Sequence, residues 1–209
     1  VTGKLFIQIS TDEVYGSLPD DVFADEAYPL RPGNPYSASK ASADLLALSY
    51  FNTYGLPVII TRSCNNFGPS QYPEKLIPLM ILNMMNNKKL PVYGDGMQTR
   101  EWIFADEHCS ILQYVAKNGI PGEIYNIGSG HSILNIDLVA KIIKAYNKIT
   151  FKNLDDSVIE FGPDRTGHDR RYGLNCEKLG SVLGNNSPKT FNRQLRHTVK
   201  WYLENYEEN

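Results

Sequence analysis

No glycine-rich turn of the form G-x-G-x-x-G or G-x-x-G-x-x-G occurs in the 209 residues. The fingerprint that opens a dinucleotide-binding βαβ unit is therefore missing from this stretch of chain. Cysteine is scarce: Cys64, Cys109 and Cys176 are odd in number, widely separated and without C-x-x-C spacing, and no secretory leader stands ahead of them. That argues against a disulfide framework and for a reducing, cytoplasmic compartment with the thiols in the core. The longest apolar runs, LPVII and LIPLMIL, fall far short of the ~20 residues a membrane helix requires. No block of one charge sign occurs either; 21 basic and 23 acidic residues leave a net charge of −2. This balance excludes a nucleic-acid footprint and a polybasic membrane patch, leaving small molecules or protein as partners. The four histidines, His108, His131, His168 and His197, show no ligand spacing with the cysteines, so no metal is expected. No repeat or low-complexity segment appears, and glycosylation is not expected around Asn185-Asn186-Ser187-Pro188.

What remains, 42% hydrophobic and 21% charged residues, is the makeup of an ordinary globular protein with enough chain to bury a core. The chain opens at Val1 and enters the apolar run LFIQI within a few residues, as a piece of a larger protein would. That run reads as a buried strand. After the acidic, proline-rich loop PDDVFADEAYPLRPGNP, Asn34 is placed to cap a helix with Pro35 in its first turn. The helix runs to a stop at Gly55, with Leu45, Leu46, Leu48 and Phe51 as its apolar stripe. LPVIITRS, residues 56–63, is apolar and β-branched throughout, the habit of a parallel strand covered on both faces. Strand, helix, strand is a βαβ unit.

Further along, NNFGPSQYPEKL reads as a loop, IPLMILNMMNN as a helix and LPVYG as a short strand. GDGMQTREW reads as a turn leading to a helix near His108–Asn118. EIYNIG, residues 123–128, is a strand, ILNIDLVAKIIKAYNK a helix, and VIEFGPDRTGHDRRYGLN a strand followed by a loop. The terminal KTFNRQLRHTVKWYLENY is an amphipathic helix docking through Trp201, Tyr202 and Leu203.

Two constellations carry possible chemistry. STDEVYG, residues 10–16, places Thr11, Asp12 and Glu13 where the first strand runs out, a position that in isolation reads as turn chemistry. Tyr36 and Lys40 stand one helical turn apart on one face, where an ammonium favours phenolate and makes a tyrosine a useful base. With 13 Tyr and 13 Lys in the chain, roughly 0.8 such Y-x-x-x-K pairs arise by composition alone. The pair gains weight because its helix follows the strand that delivers the carboxylates to the carboxyl edge of a parallel sheet, where α/β proteins bind ligands.

STDEVYG, NPYSASK, TRSCNNFGP, YPEKLIP, LPVYGDG, QTREW, YNIGSG and DRTGHDRRY follow one another along nearly the whole chain. In that order and spacing the sequence resembles the extended short-chain dehydrogenase/reductase family, and within it the nucleoside-diphosphoglucose 4,6-dehydratases of the bacterial dTDP-glucose type. The resemblance implies an α/β fold: the second half of a Rossmann-type doubly wound parallel sheet with a smaller α+β substrate-binding lobe. Residues 1–67 would be the C-terminal part of the NAD-binding domain and 68–209 mainly the sugar-nucleotide lobe, with the strand near 123–128 returning to the Rossmann sheet.

It further implies NAD as cofactor, a nucleotide-sugar substrate and a homodimer through a helical bundle that includes the Tyr36 helix. The 209-residue chain alone would be inactive for want of the cofactor half. The implied catalytic set is Thr11 on the C4 oxygen, Asp12 as general acid, Glu13 as general base, and Tyr36 with Lys40 for oxidation, this last pair also holding the cofactor. The implied substrate contacts are Asn66, Lys75, Leu76, Pro91, Tyr93, Arg100, Asn126, Arg165 and His168. The family pattern is altered at Thr166, at Glu101 and at Asp106-Glu107, positions that bear on loop rigidity or nucleotide choice. A UDP-glucose 4,6-dehydratase, a related epimerase or decarboxylase, and a non-catalytic nucleotide-sugar-binding fragment remain alternatives.

Overall fold

Burial of the β-branched run at 58–63 organises the first half of the molecule. The computed structural model describes residues 4–180 and 188–206. In it Phe6–Thr11 (β1) lies parallel to Val58–Ser63 (β2), and the helix Pro35–Tyr54 (α1) makes the crossover between them. All six residues of β2 are buried, as expected for a strand paired on both sides. Its other neighbour is Ile124–Ile127 (β6), also parallel, so the sheet order is β1-β2-β6 with β1 at one edge.

The α1 helix starts and stops where the capping residues require. Asn34 accepts from the Ser37 amide at 2.9 Å while the Ser37 hydroxyl accepts from the Asn34 amide at 3.2 Å, a reciprocal box ahead of Pro35. Gly55 closes the helix at φ +66° in the left-handed region. The apolar stripe is placed differently from the sequence reading. Ser37, Ala41, Asp44 and Ala47 face the sheet, Leu48 and Phe51 pack beside Val58 and Ile60, and Leu45 and Leu46 point outward at 60% and 61% exposure.

Two segments read as irregular are strands. Asn65–Phe67 (β3) pairs parallel with Thr99–Phe104 (β5), which pairs antiparallel with Ser132–Leu134 (β7). Five of the six β5 residues are buried, so tertiary packing overrides the turn-like composition around them. Leu90–Tyr93 (β4) pairs parallel with Ile159–Gly162 (β8). The remaining helices are Leu76–Met85 (α2), Ala105–Asn118 (α3), Asn135–Thr150 (α4) and Pro188–Asn205 (α5).

Helices α2, α4 and α5 pack around one core that includes Met80, Ile142, Tyr146 and Tyr202. Trp201 and Leu203, expected with Tyr202 to dock the last helix, pack partly buried against the same cluster. A second core lies under the end of β1 and joins Val14 and Tyr15 to Ile59, Ile103, Ile111 and Val115. This second core holds the Asp12–Tyr15 turn in place from below.

Cys64 is buried and Cys109 exposed, and with Cys176 both are free thiols. No helix among the described residues is long and apolar enough to cross a membrane. The Asn185–Ser187 stretch falls outside the described residues; its N-x-S spacing does meet the acceptor pattern, which corrects the sequence expectation there.

Gly16, at φ +75°, ends the turn after β1, and a Cβ there would overlap the Arg31 carbonyl oxygen. Gly55 has a similar φ with nothing within 4 Å of the added carbon. In urea unfolding of the full-length protein, Gly55→Ala therefore loses about 1 kcal/mol from the left-handed backbone alone. Gly16→Ala loses at least twice as much. Equal losses would show that the Arg31 contact does not constrain the turn.

Candidate active site

Strand β1 ends in a short 3-10 turn, Asp12–Tyr15, capped by Thr11. The Thr11 hydroxyl accepts from the Glu13 amide at 3.3 Å and donates to Asp12 Oδ1 at 3.2 Å. Expected to reach a substrate oxygen, it is instead occupied by its neighbours in this arrangement. Asp12 is 3% exposed, and its second oxygen has no hydrogen-bond partner among the described residues. Burial first, and then the charges of Glu13 and Glu101, push its pKa up to about 8, against the lowering pull of Arg100 and of the Thr11 hydrogen bond. Asp12 is thus a neutral carboxylic acid at neutral pH, able to donate a proton.

Glu13 is more open. Its Oε2 accepts from Asn34 Nδ2 at 3.5 Å and lies 3.5 Å from the Tyr172 hydroxyl oxygen, whose proton is donated to Asp169 at 2.8 Å. Neither contact was legible as part of the site. Asn34 read only as a helix cap and Tyr172 only as a letter in DRRY, because each meets Glu13 through tertiary packing.

Tyr36 and Lys40 do share a face of α1 at the carboxyl end of β1, but the electrostatics differ from the expectation. The Lys40 ammonium donates to the Ile9 carbonyl at 2.5 Å. Tyr36 is 54% exposed, and its pKa is raised by partial burial and by the Glu13 and Asp12 carboxyls. Lys40 therefore ties the helix to β1 and does not hold the phenol acidic.

The expected substrate contacts divide into three groups. Asn66 remains a candidate: its Nδ2 donates to the Cys64 carbonyl at 3.3 Å, and its buried Oδ1 has no partner among the described residues. Lys75, Leu76, Pro91, Tyr93, Arg165 and His168 all keep some exposure to solvent. Lys75 pairs at 3.6 Å with Glu74 on the surface, Leu76 begins α2, and Pro91 and Tyr93 are in β4. Arg165 stands over the Tyr93 ring at 5.4 Å, and His168 Nδ1 meets Asp164 Oδ1 at 2.6 Å. Burial outweighs the Asp164 hydrogen bond and lowers the His168 pKa, favouring the neutral ring.

Arg100 is 6% exposed and bonds inward. It donates to the carbonyls of Thr99, Asp169 and Arg170 at 2.9, 2.7 and 3.3 Å and covers the Tyr172 ring at 4.3 Å.

Asn126 is a correction. It is fully buried; its Nδ2 donates to the carbonyls of Ala24 and Asn175 at 2.9 and 3.0 Å, and its Oδ1 accepts from Tyr15 at 2.7 Å. Both of its amide protons and one lone pair of its oxygen are engaged inside the fold, which weighs against a role as a ligand contact. Asn135, not singled out from the sequence, opens α4 with a buried, unpartnered Oδ1 and is the better candidate amide. A separate groove of about 380 Å³, lined by His131, Asp137, Lys141 and Lys144 among others, contains none of the catalytic candidates.

A dTDP-glucose 4,6-dehydratase of Neisseria meningitidis is 47% identical over 207 residues, covering 96% of this chain and 58% of that protein. Among solved structures, a dTDP-glucose 4,6-dehydratase from Bacillus anthracis in complex with NAD superposes with a TM-score of 0.85 at 47% identity. It covers 95% of this chain and 61% of its own. The dTDP-glucose 4,6-dehydratase DesIV from Streptomyces venezuelae, with NAD and TYD bound, gives 0.88 at 44% identity, with 96% and 60% covered. The chain spans about three-fifths of the length of these relatives. Residues 2–198 match the family described as GDP-mannose 4,6 dehydratase. Because that match runs from β1 into α5, through the acid-bearing turn and the Tyr36 helix, the chain belongs to the GDP-mannose 4,6-dehydratase family.

Proposed function

We propose that the protein containing this chain is an NAD-dependent dTDP-glucose 4,6-dehydratase, a hydro-lyase that converts its substrate to the 4-keto-6-deoxy sugar. The observation that carries the reading is the pair at the end of β1: a buried carboxylic acid, Asp12, whose pKa of about 8 keeps it neutral, next to a more accessible carboxyl, Glu13. An elimination needs both an acid and a base beside one carbon–carbon bond.

The residues at the carboxyl end of β1 fit a nicotinamide cofactor in one respect. The hydroxyl of Tyr36 and the ammonium of Lys40 lie at this edge, and Asn66 has a buried oxygen without a partner among the described residues. NAD, when bound, would supply a hydride acceptor for C4 and later a hydride donor for C6, the C5 carbon regaining its proton from Glu13. Tyr36 takes the O4 proton, which requires a cation to offset the Glu13 and Asp12 carboxyls that oppose its ionisation. The resulting ketone acidifies C5–H. Glu13 then removes that proton while Asp12 gives its own to the departing C6 hydroxyl, and the two transfers together release one water. Lys40 holds α1 on β1 and supplies a donor toward the cofactor ribose. Asn66, Lys75, Leu76, Pro91, Tyr93, Arg100, Arg165 and His168 would line the nucleotide-sugar side, with Asn135 in the place first given to Asn126.

A homodimer through α1 belongs to the same proposal. Leu45, Leu46, Tyr50 and Tyr54 are all exposed on that helix, an apolar surface unusual for a lone crossover helix. Sedimentation equilibrium of the full-length protein returns twice the monomer mass; a monomer would overturn this part.

With dTDP-glucose, the full-length protein releases a 4-keto-6-deoxy product, while the 209-residue chain alone gives none. Glu13→Gln still forms enzyme-bound NADH, seen at 340 nm, but slows product release by two orders of magnitude or more. Turnover at the parent rate in Glu13→Gln would remove Glu13 from the base role, and a product that keeps its C6 hydroxyl would point to an epimerase.

The pH dependence follows from Asp12. A general acid works protonated, so elimination proceeds fully below its pKa of about 8 and falls about tenfold per unit above it. Single-turnover decay of the NADH signal between pH 6 and 10 shows this basic limb. Asp12→Asn lowers the plateau and abolishes the limb; a limb unchanged in Asp12→Asn assigns it to another group.

A further inference from the structure

Beneath the site lies a charge that the proposed chemistry does not use. Arg62, in β2, is 3% exposed and Asp44, in α1, is fully buried. Arg62 Nε donates to Asp44 Oδ2 at 2.9 Å, and its Nη1 donates to the Tyr15 hydroxyl at 3.0 Å. The guanidinium lies over the Tyr15 ring at 5.0 Å. Tyr15 passes its own proton to Asn126 Oδ1 at 2.7 Å, and the Asn126 amide donates to Glu26 Oε1 at 2.9 Å. In the sheet register Arg62 sits between Ser10 on β1 and Asn126 on β6.

A buried ion pair is weak evidence of stability, because desolvating two charges takes back most of their attraction, and packed apolar residues often do as well. What a planar guanidinium adds is direction: its N–H groups point at fixed angles and fix two partners relative to each other. Three groups accept from it here: the Asp44 carboxylate, the Tyr15 hydroxyl and, from Nη1 at 3.4 Å, the Glu26 carbonyl; the first two are informative. Asp44 is one turn beyond Lys40 and two beyond Tyr36 on α1, whereas Tyr15 closes the turn that carries Asp12 and Glu13. Oxidation and elimination must act on adjacent carbons of one sugar, so the helix and the turn need a common reference. An error of about 1 Å between such elements is enough to lower a rate a hundredfold.

We propose that Arg62 is a positioning residue whose guanidinium, through Asp44 and Tyr15, sets the Tyr36–Lys40 helix against the Asp12–Glu13 turn; this rests on the dehydratase reading above. Lys40 on the Ile9 carbonyl is a second tie between the same helix and β1. Arg62, Asp44 and Tyr15 are each almost fully buried, and their polar groups are bonded to one another.

The test is made in the full-length protein with three variants, reading kcat, KM for dTDP-glucose and the steady-state fraction of enzyme holding NADH. Tyr15→Phe keeps the ring and removes only the hydroxyl bridge at the elimination end. It lowers kcat three- to tenfold with KM within twofold, and raises the NADH fraction at least twofold because water loss is slowed after oxidation. Asp44→Asn loosens the oxidation end and lowers the NADH fraction. Arg62→Met lowers kcat more than either.

Loss of function that leaves the NADH fraction of both single-end variants equal to the parent's would mean a merely structural role and overturn the proposal. That comparison stands even where Arg62→Met fails to fold. A parent protein that oxidises the sugar but loses no water overturns the dehydratase reading alone. The positioning role is then decided by Asp44→Asn, which must still slow NADH formation at unchanged KM. A parent that forms no NADH overturns both.

Discussion

A carboxylic acid kept neutral at the end of a buried strand is the condition on which the rest of the site depends. Asp12 stays protonated because it is out of water and because Glu13 and Glu101 stand close enough to oppose a further negative charge. Glu101 is itself buried, and its carboxyl accepts from the Gly130 amide, which anchors it beside the strand end. Glu101 in QTREW is thus a third carboxyl near Asp12 and adds to the pressure that keeps the acid protonated.

Such a crowd of acids needs walls that do not give way, and the fold provides them from three directions. The parallel pairing of β1 with β2 brings the strand end to the carboxyl edge, where crossover connections leave a crevice. The core of Val14, Tyr15, Ile59, Ile103, Ile111 and Val115 closes the underside of the turn, using residues from both halves of the chain. The segment Asp169–Tyr172 closes the top through Arg100, whose guanidinium is bonded to the Asp169 and Arg170 carbonyls while Tyr172 reaches Glu13. Arg100 thus acts on the site from the side, by holding that segment and by lowering the Asp12 pKa somewhat.

Local signals in the sequence carried the frame well. The Asn34–Pro35 start, the Gly55 stop and the doubly buried β2 are all set by nearest-neighbour chemistry: a cap, a fixed φ, and a run of β-branched residues. The strands β3 and β5 were not legible, because glycine-, proline- and asparagine-rich surroundings resemble loops until long-range pairing is known. The same limit applied in the site. Thr11, Asp12, Glu13, Tyr36 and Lys40 stand in short local motifs. Asn126 was misread because its adjacency to YNIG said nothing of the three partners that engage it, two of them about 100 residues away. Asn135 was missed because an amide in the first turn of a helix is ordinary until its oxygen is found without a partner.

The contrast between Lys40 and Arg62 sharpens the division of labour among the cations. From sequence, Lys40 was the electrostatic partner of Tyr36, and Arg62 was one polar letter in a hydrophobic strand. In the fold the more local pair is the looser one: Lys40 is bonded to a backbone carbonyl, and partial burial together with the Glu13 carboxyl resists ionisation of Tyr36. The phenol is then a poor base until a cation arrives opposite it, so oxidation is gated by what binds rather than built into the helix. Arg62, by contrast, has Asp44, Tyr15 and the Glu26 carbonyl in place already. The fixed cation belongs to the geometry and the missing one to the ligand.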